Sequence, residues 1–199
     1  MKEQSSARSR SWAAFAVWLS TAIMLVTSCR PADHEEAQPG LITFNANGGW
    51  CWYQDERVIV DDGQIVFGSV ASPSGNVEVT AYDPARAGGS VAVVAVVHTR
   101  LESDDHDVPA LLVLPDGRYL AVYSKHGTDR LMRWRISTRP GSAWQWEPER
   151  SVDAGSRVTY SNLFRLSGEE GRIYNFYRGE GWDPNFMISR DGARTWECG

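Results

Sequence analysis

Residues 112–124 read LVLPDGRYLAVYS, two apolar-rich runs on either side of Pro115-Asp116-Gly117. Proline presets φ for a turn and glycine accepts the positive φ that a tight turn needs, so the stretch predicts a β-hairpin. The signature occurs twice more, as VIVDDGQIVFGS at 58–69 and RLSGEEGRIYNFYR at 165–178. The last turn glycines are Gly63, Gly117 and Gly171, each 54 residues from the next. First strands are predicted at 57–60, 110–114 and 162–166, and second strands at 64–70, 118–124 and 172–178. Third strands follow at 76–82, 130–137 and 185–189. Ile136 and Trp144 match Ile188 and Trp196, each pair eight apart. A repeat of this length, built from short antiparallel strands, predicts an all-β protein: a β-propeller with about three four-stranded blades. A ring takes at least four blades, so the chain reads as the N-terminal part of a larger propeller.

Nine Trp, seven Tyr, six Phe and 18 Gly in 199 residues suit an all-β, carbohydrate-facing protein. The formal charge of −5 disfavours nucleic acid as a partner. Lys2, Arg8 and Arg10 precede an apolar run over 12–26 that is short for a membrane span and reads as an export signal. Its ending, Val26-Thr27-Ser28-Cys29, resembles the bacterial lipoprotein box, which implies lipidation of Cys29. The expected organisation is a signal peptide at 1–28, a flexible linker at 29–42 and a partial propeller at 43–199. The expected location is exported: at the outer membrane or cell surface, or periplasmic or secreted. The membrane is touched only through a lipid on Cys29. Removing 1–28 deletes three basic residues and Glu3, making the chain more acidic. Cys51 and Cys198 are candidates for a disulfide, and their spacing leaves the pairing open.

The repeat also sorts polar residues by rim. His106 precedes the first strand of the second unit and His126 follows its second strand, so both belong to the rim opposite the hairpin turns. A shift of one period takes His106 forward to Tyr160 and back to Trp52. Arg178, in FYRGEG, ends the second strand of the third unit. Taken singly, each has a structural explanation: His106 among Asp104, Asp105 and Asp107 as a salt-bridged loop residue, Arg178 as a partner for a structural carboxylate. Together they suit β-elimination on a uronic acid polysaccharide. Arginine neutralises the sugar carboxylate, a histidine or tyrosine removes the adjacent proton, and a partner protonates the leaving oxygen. Imidazole titrates near neutrality and suits such work. Lys125 and Arg133 would add positive potential for an anionic glycan, and Trp52 and Trp182 would offer stacking surfaces. His98 is expected to pack beside the site. His98, His106 and His126 lack a recognised ligand spacing, so no metal and no cofactor is expected.

Ser189-Arg190-Asp191-Gly192-Ala193-Arg194-Thr195-Trp196 resembles the Asp-box, with Ala193 where glycine is usual. The run from Trp50 to Trp196 resembles the BNR-repeat, sialidase-like propellers that include bacterial ulvan lyases. HDVPALLVLPDGRYLAVYSKHG at 106–127 and TYSNLFRLSGEEGRIYNFYRG at 159–179 carry the likeness. The resemblance implies a seven-bladed propeller, cleavage of a sulfated uronate polysaccharide, and His106, His126, Tyr160 and Arg178 as catalytic residues. It gives Asp191 and Trp196 structural roles only. Two other readings stand beside it: a non-catalytic glycan-binding lipoprotein using Trp50, Trp52 and Trp182 as platforms, and a sialidase-like glycoside hydrolase.

Overall fold

The computed structural model describes residues 42–49, 51, 57–86 and 92–199. The predicted signal peptide, Cys29, nearly all of the linker, Trp50 and Trp52 lie outside the described residues. Gly40–Gly199 forms one compact unit. Among the described residues no helix is long and apolar enough to cross a membrane.

The first sheet contains β1 (Gly48–Gly49), β2 (Val58–Asp61), β3 (Gln64–Ala71), β4 (Asn76–Tyr82) and β5 (Val93–His98). The second is β6 (Ala110–Val113), β7 (Tyr119–Tyr123), β8 (Leu131–Ile136) and β9 (Arg150–Asp153). The third is β10 (Thr159–Leu166), β11 (Arg172–Arg178), β12 (Pro184–Ser189) and β13 (Glu197–Cys198). All pairings are antiparallel, as the hairpin signals predict. The first sheet holds a fifth strand because β1 and β2 share one edge of β3. Gly48 pairs with Ala71 at one end and Asp61 with Gln64 at the other, so one strand position is split in two.

Packing follows from the period-2 alternation of strands. Every residue of β7 is buried, which explains its uninterrupted apolar sequence. Tyr119, Ala121 and Tyr123 join Val66, Val77, Val79 and Val97 of the first sheet. Leu120 and Val122 turn the other way, toward Leu163, Ile173 and Met187 of the third. Each large side chain buried there contributes about 1.5–3 kcal/mol. The second sheet is therefore the filling between two others in a propeller-like array.

The pairing corrects one part of the repeat. Ile188 pairs with Glu197, whereas the Ile136 carbonyl accepts from the Glu147 N–H and Ser137 bridges to Trp146. Trp146, not Trp144, is thus the counterpart of Trp196, because the intervening loop is two residues longer in the second sheet. Trp196 is buried edge-on to Trp134 at 6.2 Å. Trp144 is 67% exposed and lines a cavity of about 210 Å³ with Gln64, Asp83 and Arg86 on the hairpin-turn rim.

The Asp-box-like turn closes on itself. Asp191 Oδ1 accepts from the N–H groups of Arg194 and Thr195, both at 2.9 Å, and Oδ2 from the Thr195 hydroxyl at 2.6 Å. Ser189 Oγ donates to Asp191 and accepts from the Ala193 N–H at 2.8 Å. Ala193 sits at φ +64°, the conformation for which glycine is usual there. Burial alone would raise the Asp191 pKa, but the bonds from Thr195, Ser189 and Arg194 hold it below the usual carboxylate range. Asp191→Ala is expected to lower stability by about 1–2 kcal/mol, as loss of a helix cap does. A carboxylate with a lowered folded pKa stabilises above its unfolded value near 3.9 and loses that contribution as pH falls through the folded one. Denaturant melts of wild type and variant should accordingly converge as pH drops below about 4. A gap that persists in acid would contradict the assignment.

Candidate active site on the histidine rim

The site begins with a 3-10 turn at Asp105–Asp107, whose Asp104 cap accepts the His106 N–H at 2.9 Å. Asp104 is also a fork between two rings. One carboxylate oxygen meets His106 Nδ1 at 2.6 Å, and the other meets His126 Nδ1 at 2.9 Å. Asp105 adds a second carboxylate to His106 Nδ1 at 2.8 Å. The imidazoles lie face to face, with centroids 3.8 Å apart and planes 7° from parallel. Glu102 accepts the His126 N–H at 2.9 Å and the Thr128 hydroxyl, tying down the segment after β7.

Tyr160 arrives through a break in register. Between Thr159 and Asn162, β10 carries one residue more than β11 opposite, and Tyr160 takes φ +67° in that bulge. Bulges re-aim side chains beside functional sites. The Arg57 guanidinium bonds the next carbonyl, that of Ser161, at 2.5 Å. The Tyr160 ring then stands 5.2 Å from that of His106. Arg178, at the end of β11 opposite Thr159, places its guanidinium 4.9 Å from the Tyr160 ring and 4.5 Å from that of Trp182. Gly127 makes room for this stack, since a Cβ there would sit 3.0 Å from the Trp182 ring. Arg178 Nη2 closes the circle 3.5 Å from His126 Nε2.

These contacts settle tautomers by donor count. An ionised carboxylate only accepts and a guanidinium only donates. The Nδ1 atoms of both histidines therefore carry protons toward Asp104, and His126 presents an Nε2 lone pair to Arg178. Burial pulls Asp104 upward, but hydrogen bonds from the His106 N–H and both rings hold it below the usual carboxylate range. Asp107 behaves oppositely. It is fully buried, and neither carboxyl oxygen has a hydrogen-bond partner among the described residues. Burial, then the charges of Glu102 and Asp104, push its pKa up to about 8, so it is mostly protonated at neutral pH.

His106, His126, Tyr160, Arg178 and Trp182 thus meet, and Trp182 is 57% exposed on a cleft of about 250 Å³ with Ser156 and Arg157. Lys125 is half-buried, and its charge bears on Asp107 and Asp129. Arg133 is not presented to a ligand: it is 7% exposed and committed to Asp129 and the Leu131 carbonyl. His98 lies in a separate network, 2.5 Å from Glu149, which also accepts from Tyr123. Cys51 and Cys198 are unpaired, the first buried and the second exposed. Sequence alone presents Asp104 only as a salt-bridge partner of His106, which it is, and does not reach its bond to His126 or the role of Glu102. The two-residue step from Asp104 to His106 is a common Asx spacing, but nothing local links Asp104 to His126. The expectation of no metal rested on histidine spacing in sequence. In space, Asp104, His106 and His126 bring ligand atoms within 4.8 Å of one another, and so do Cys51, Asp105 and His106.

Residues 52–197 match the profile described as "BNR repeat-containing family member". The chain belongs to the BNR repeat family. Similar solved structures include a polysaccharide lyase, a PL25 ulvan lyase bound to -[GlcA(1-4)Rha3S]-. It has a TM-score of 0.55 and 19% identity over 76% of this chain and 39% of that one. A second structure of PL25 ulvan lyase has a TM-score of 0.54 at the same identity and coverage. This BNR-repeat chain therefore spans about two fifths of the length of those proteins. No curated protein matches it.

Proposed function

We propose that this BNR-repeat protein is a polysaccharide lyase acting on a uronate-containing, possibly sulfated glycan of the ulvan kind. One observation supports it above others: the Nε2 lone pair of His126 faces Arg178, which is itself stacked between Tyr160 and Trp182. A uronate carboxylate bound by Arg178 would bring its C5 proton to that lone pair. His126 takes the proton, the C5 electrons form the C4=C5 double bond, and the C4–oxygen bond breaks. The Tyr160 hydroxyl protonates the departing oxygen. Asp104 keeps both Nδ1 protons in place throughout. Trp182 and Arg157 line the cleft for a neighbouring sugar and its sulfate. A glycan-binding protein without chemistry would use Trp182 and Arg178 equally, but it needs no paired imidazoles on a shared carboxylate.

The proposal takes the three sheets as an arc of the seven-bladed propeller that the resemblance implies. It also takes the protein as exported and anchored through Cys29, on the strength of the lipoprotein-box-like ending at 26–29. Incubation with ulvan and other uronate polymers should generate ultraviolet absorbance from the unsaturated product. Folded protein that yields none from any uronate polymer would refute the reading, and new reducing ends without that absorbance would indicate hydrolysis. Asp104→Asn provides a sharper check. An amide must donate to one ring, forcing that histidine to carry its lone pair on Nδ1 instead of Nε2. Turnover should fall by about 10- to 100-fold with little change in KM, and the pH–rate profile should shift. An unchanged profile would remove Asp104 from the mechanism.

A further inference from the structure

Trp144 has no task in the elimination scheme and no counterpart in the third sheet. It stands in the loop between β8 and β9, which is two residues longer than the Asp-box-like turn. The residues around it are pinned. Ala143 is 2% exposed in the cluster between the first and second sheets, and its carbonyl accepts the Trp146 indole N–H at 2.9 Å. The Gln145 carbonyl accepts the Thr138 N–H at 2.8 Å. Gly141 donates its N–H to the Gly117 carbonyl at 2.8 Å, and its own carbonyl accepts from Gln64 Nε2 at 3.2 Å. A large aromatic side chain, 67% exposed, is thus carried by a loop tied to two hairpins. An aromatic face presented on a fixed backbone binds a ligand at low entropic cost.

The cavity beside it holds about 210 Å³ at the seam of two sheets, with Gln64, Asp83 and Arg86 on one side and Ser142 and Trp144 on the other. Pockets for drug-sized ligands run to about 300–1,000 Å³, so this one fits a single ring. Among its described lining residues the charged groups are Asp83 and Arg86, whose carboxylate and guanidinium meet at 3.4 Å. Their charges offset, so no excess positive charge draws a uronate or a sulfate, in contrast to the cleft at Arg178. What they offer suits hydroxyl groups: the carboxylate accepts, the guanidinium donates, and the Ser142 hydroxyl does both.

We propose that this seam is a second carbohydrate site, which holds an uncharged pyranose unit of a polysaccharide against Trp144 with its hydroxyls on Asp83, Arg86 and Ser142. It lies on the hairpin-turn rim, separated from the histidine rim by strands of five to eight residues, about 16–26 Å. A glycan held here therefore leaves the cleft at Trp182 open. The site does not depend on the lyase reading.

Saturation-transfer NMR on the full chain tests it, with the methyl pyranosides of glucose, galactose, mannose, xylose and rhamnose as probes. Methyl glucuronoside is the charged comparison. At least one neutral glycoside should bind. Trp144→Ala should weaken that binding by about 10-fold or more at an unchanged melting temperature, and Trp144→Phe should keep part of it. Arg178→Ala should leave it intact, which separates this site from the histidine rim. No binding of any neutral glycoside, binding that survives Trp144→Ala, or binding lost with Arg178→Ala overturns the site. Glucuronoside held through Trp144 as tightly as glucoside overturns the assignment to uncharged sugars. Native gels cast with a neutral polymer of the sugar that binds should retard wild type but not Trp144→Ala. Equal mobility of the two proteins overturns the polysaccharide as ligand and leaves a site for the free sugar.

Discussion

Replacing His126 by alanine should lower the rate of the proposed elimination by roughly 10²- to 10⁴-fold, the range for loss of a positioned general base. The fold should survive, because the His126 side chain is 31% exposed and its N–H bond to Glu102 belongs to the backbone. The expected signature is a collapse in turnover with an unchanged circular dichroism spectrum and melting temperature. Oligosaccharide affinity should change far less than turnover, since Arg178 and Trp182 stay in place. A variant that retains more than about a tenth of the wild-type rate would give the base to another group. Tyr160, 5.2 Å from His106 on the far side of the stack, would then be the first to test.

The largest stability effect should come from Gly75, far from the chemistry in sequence. It sits at φ +69° between β3 and β4, and its carbonyl accepts the Leu101 N–H at 2.8 Å. A Cβ there would lie 2.6 Å from the carbonyl carbon and oxygen of Glu102 and 2.8 Å from the Ser103 nitrogen. These are backbone atoms and cannot swing away. Gly75→Ala combines a left-handed backbone penalty of about 1–2 kcal/mol with a steric cost of about 1–3 kcal/mol. The melting temperature should fall by about 5–12 °C. Activity should fall too, because the displaced segment carries Glu102 and Asp104. Gly63→Ala supplies the control: it has φ +77° with nothing within 4 Å of a Cβ, so it should cost only the backbone penalty and leave turnover alone. Equal losses for both variants would show that the contact with Glu102 does not matter.

The hairpins were legible because turn chemistry and alternation are local. Pro115-Asp116-Gly117 marks its own turn, and β3, β7 and β11 fall within a residue or so of the predicted second strands. The rim cluster was legible one step further on, because a fixed period carries His106 onto Tyr160. What stayed hidden depends on distance and loop length. Asp104 reaches His126 across 22 residues, and no spacing rule spans two loops. Trp144 took the place of Trp146 because the repeat is fixed by strand pairing, while the loop between gained two residues. Arg133 looked like a free cation, but its strand is buried on both faces and Asp129, four residues earlier, neutralises it.

The three-sheet arrangement has a consequence for how the molecule opens. Among the described residues no strand pairs with a strand of another sheet, so neighbouring sheets are joined chiefly through side chains, such as the Tyr123 hydroxyl on the Val97 carbonyl and the Tyr119 hydroxyl on Asp61. The middle sheet is covered on both sides. The outer ones leave Val58, Val60, Val94 and Val96 exposed at one end and Phe164, Leu166 and Phe176 at the other. Amide exchange should therefore be graded across the array. The β7 amides should exchange only with global unfolding, while those of β12 and β13 should exchange sooner by separate opening of the third sheet. Tyr160 and Arg178 both stand on that third sheet. The same fluctuation that exposes its amides would periodically part them from the histidines, so site assembly would be limited by the looser side of the rim.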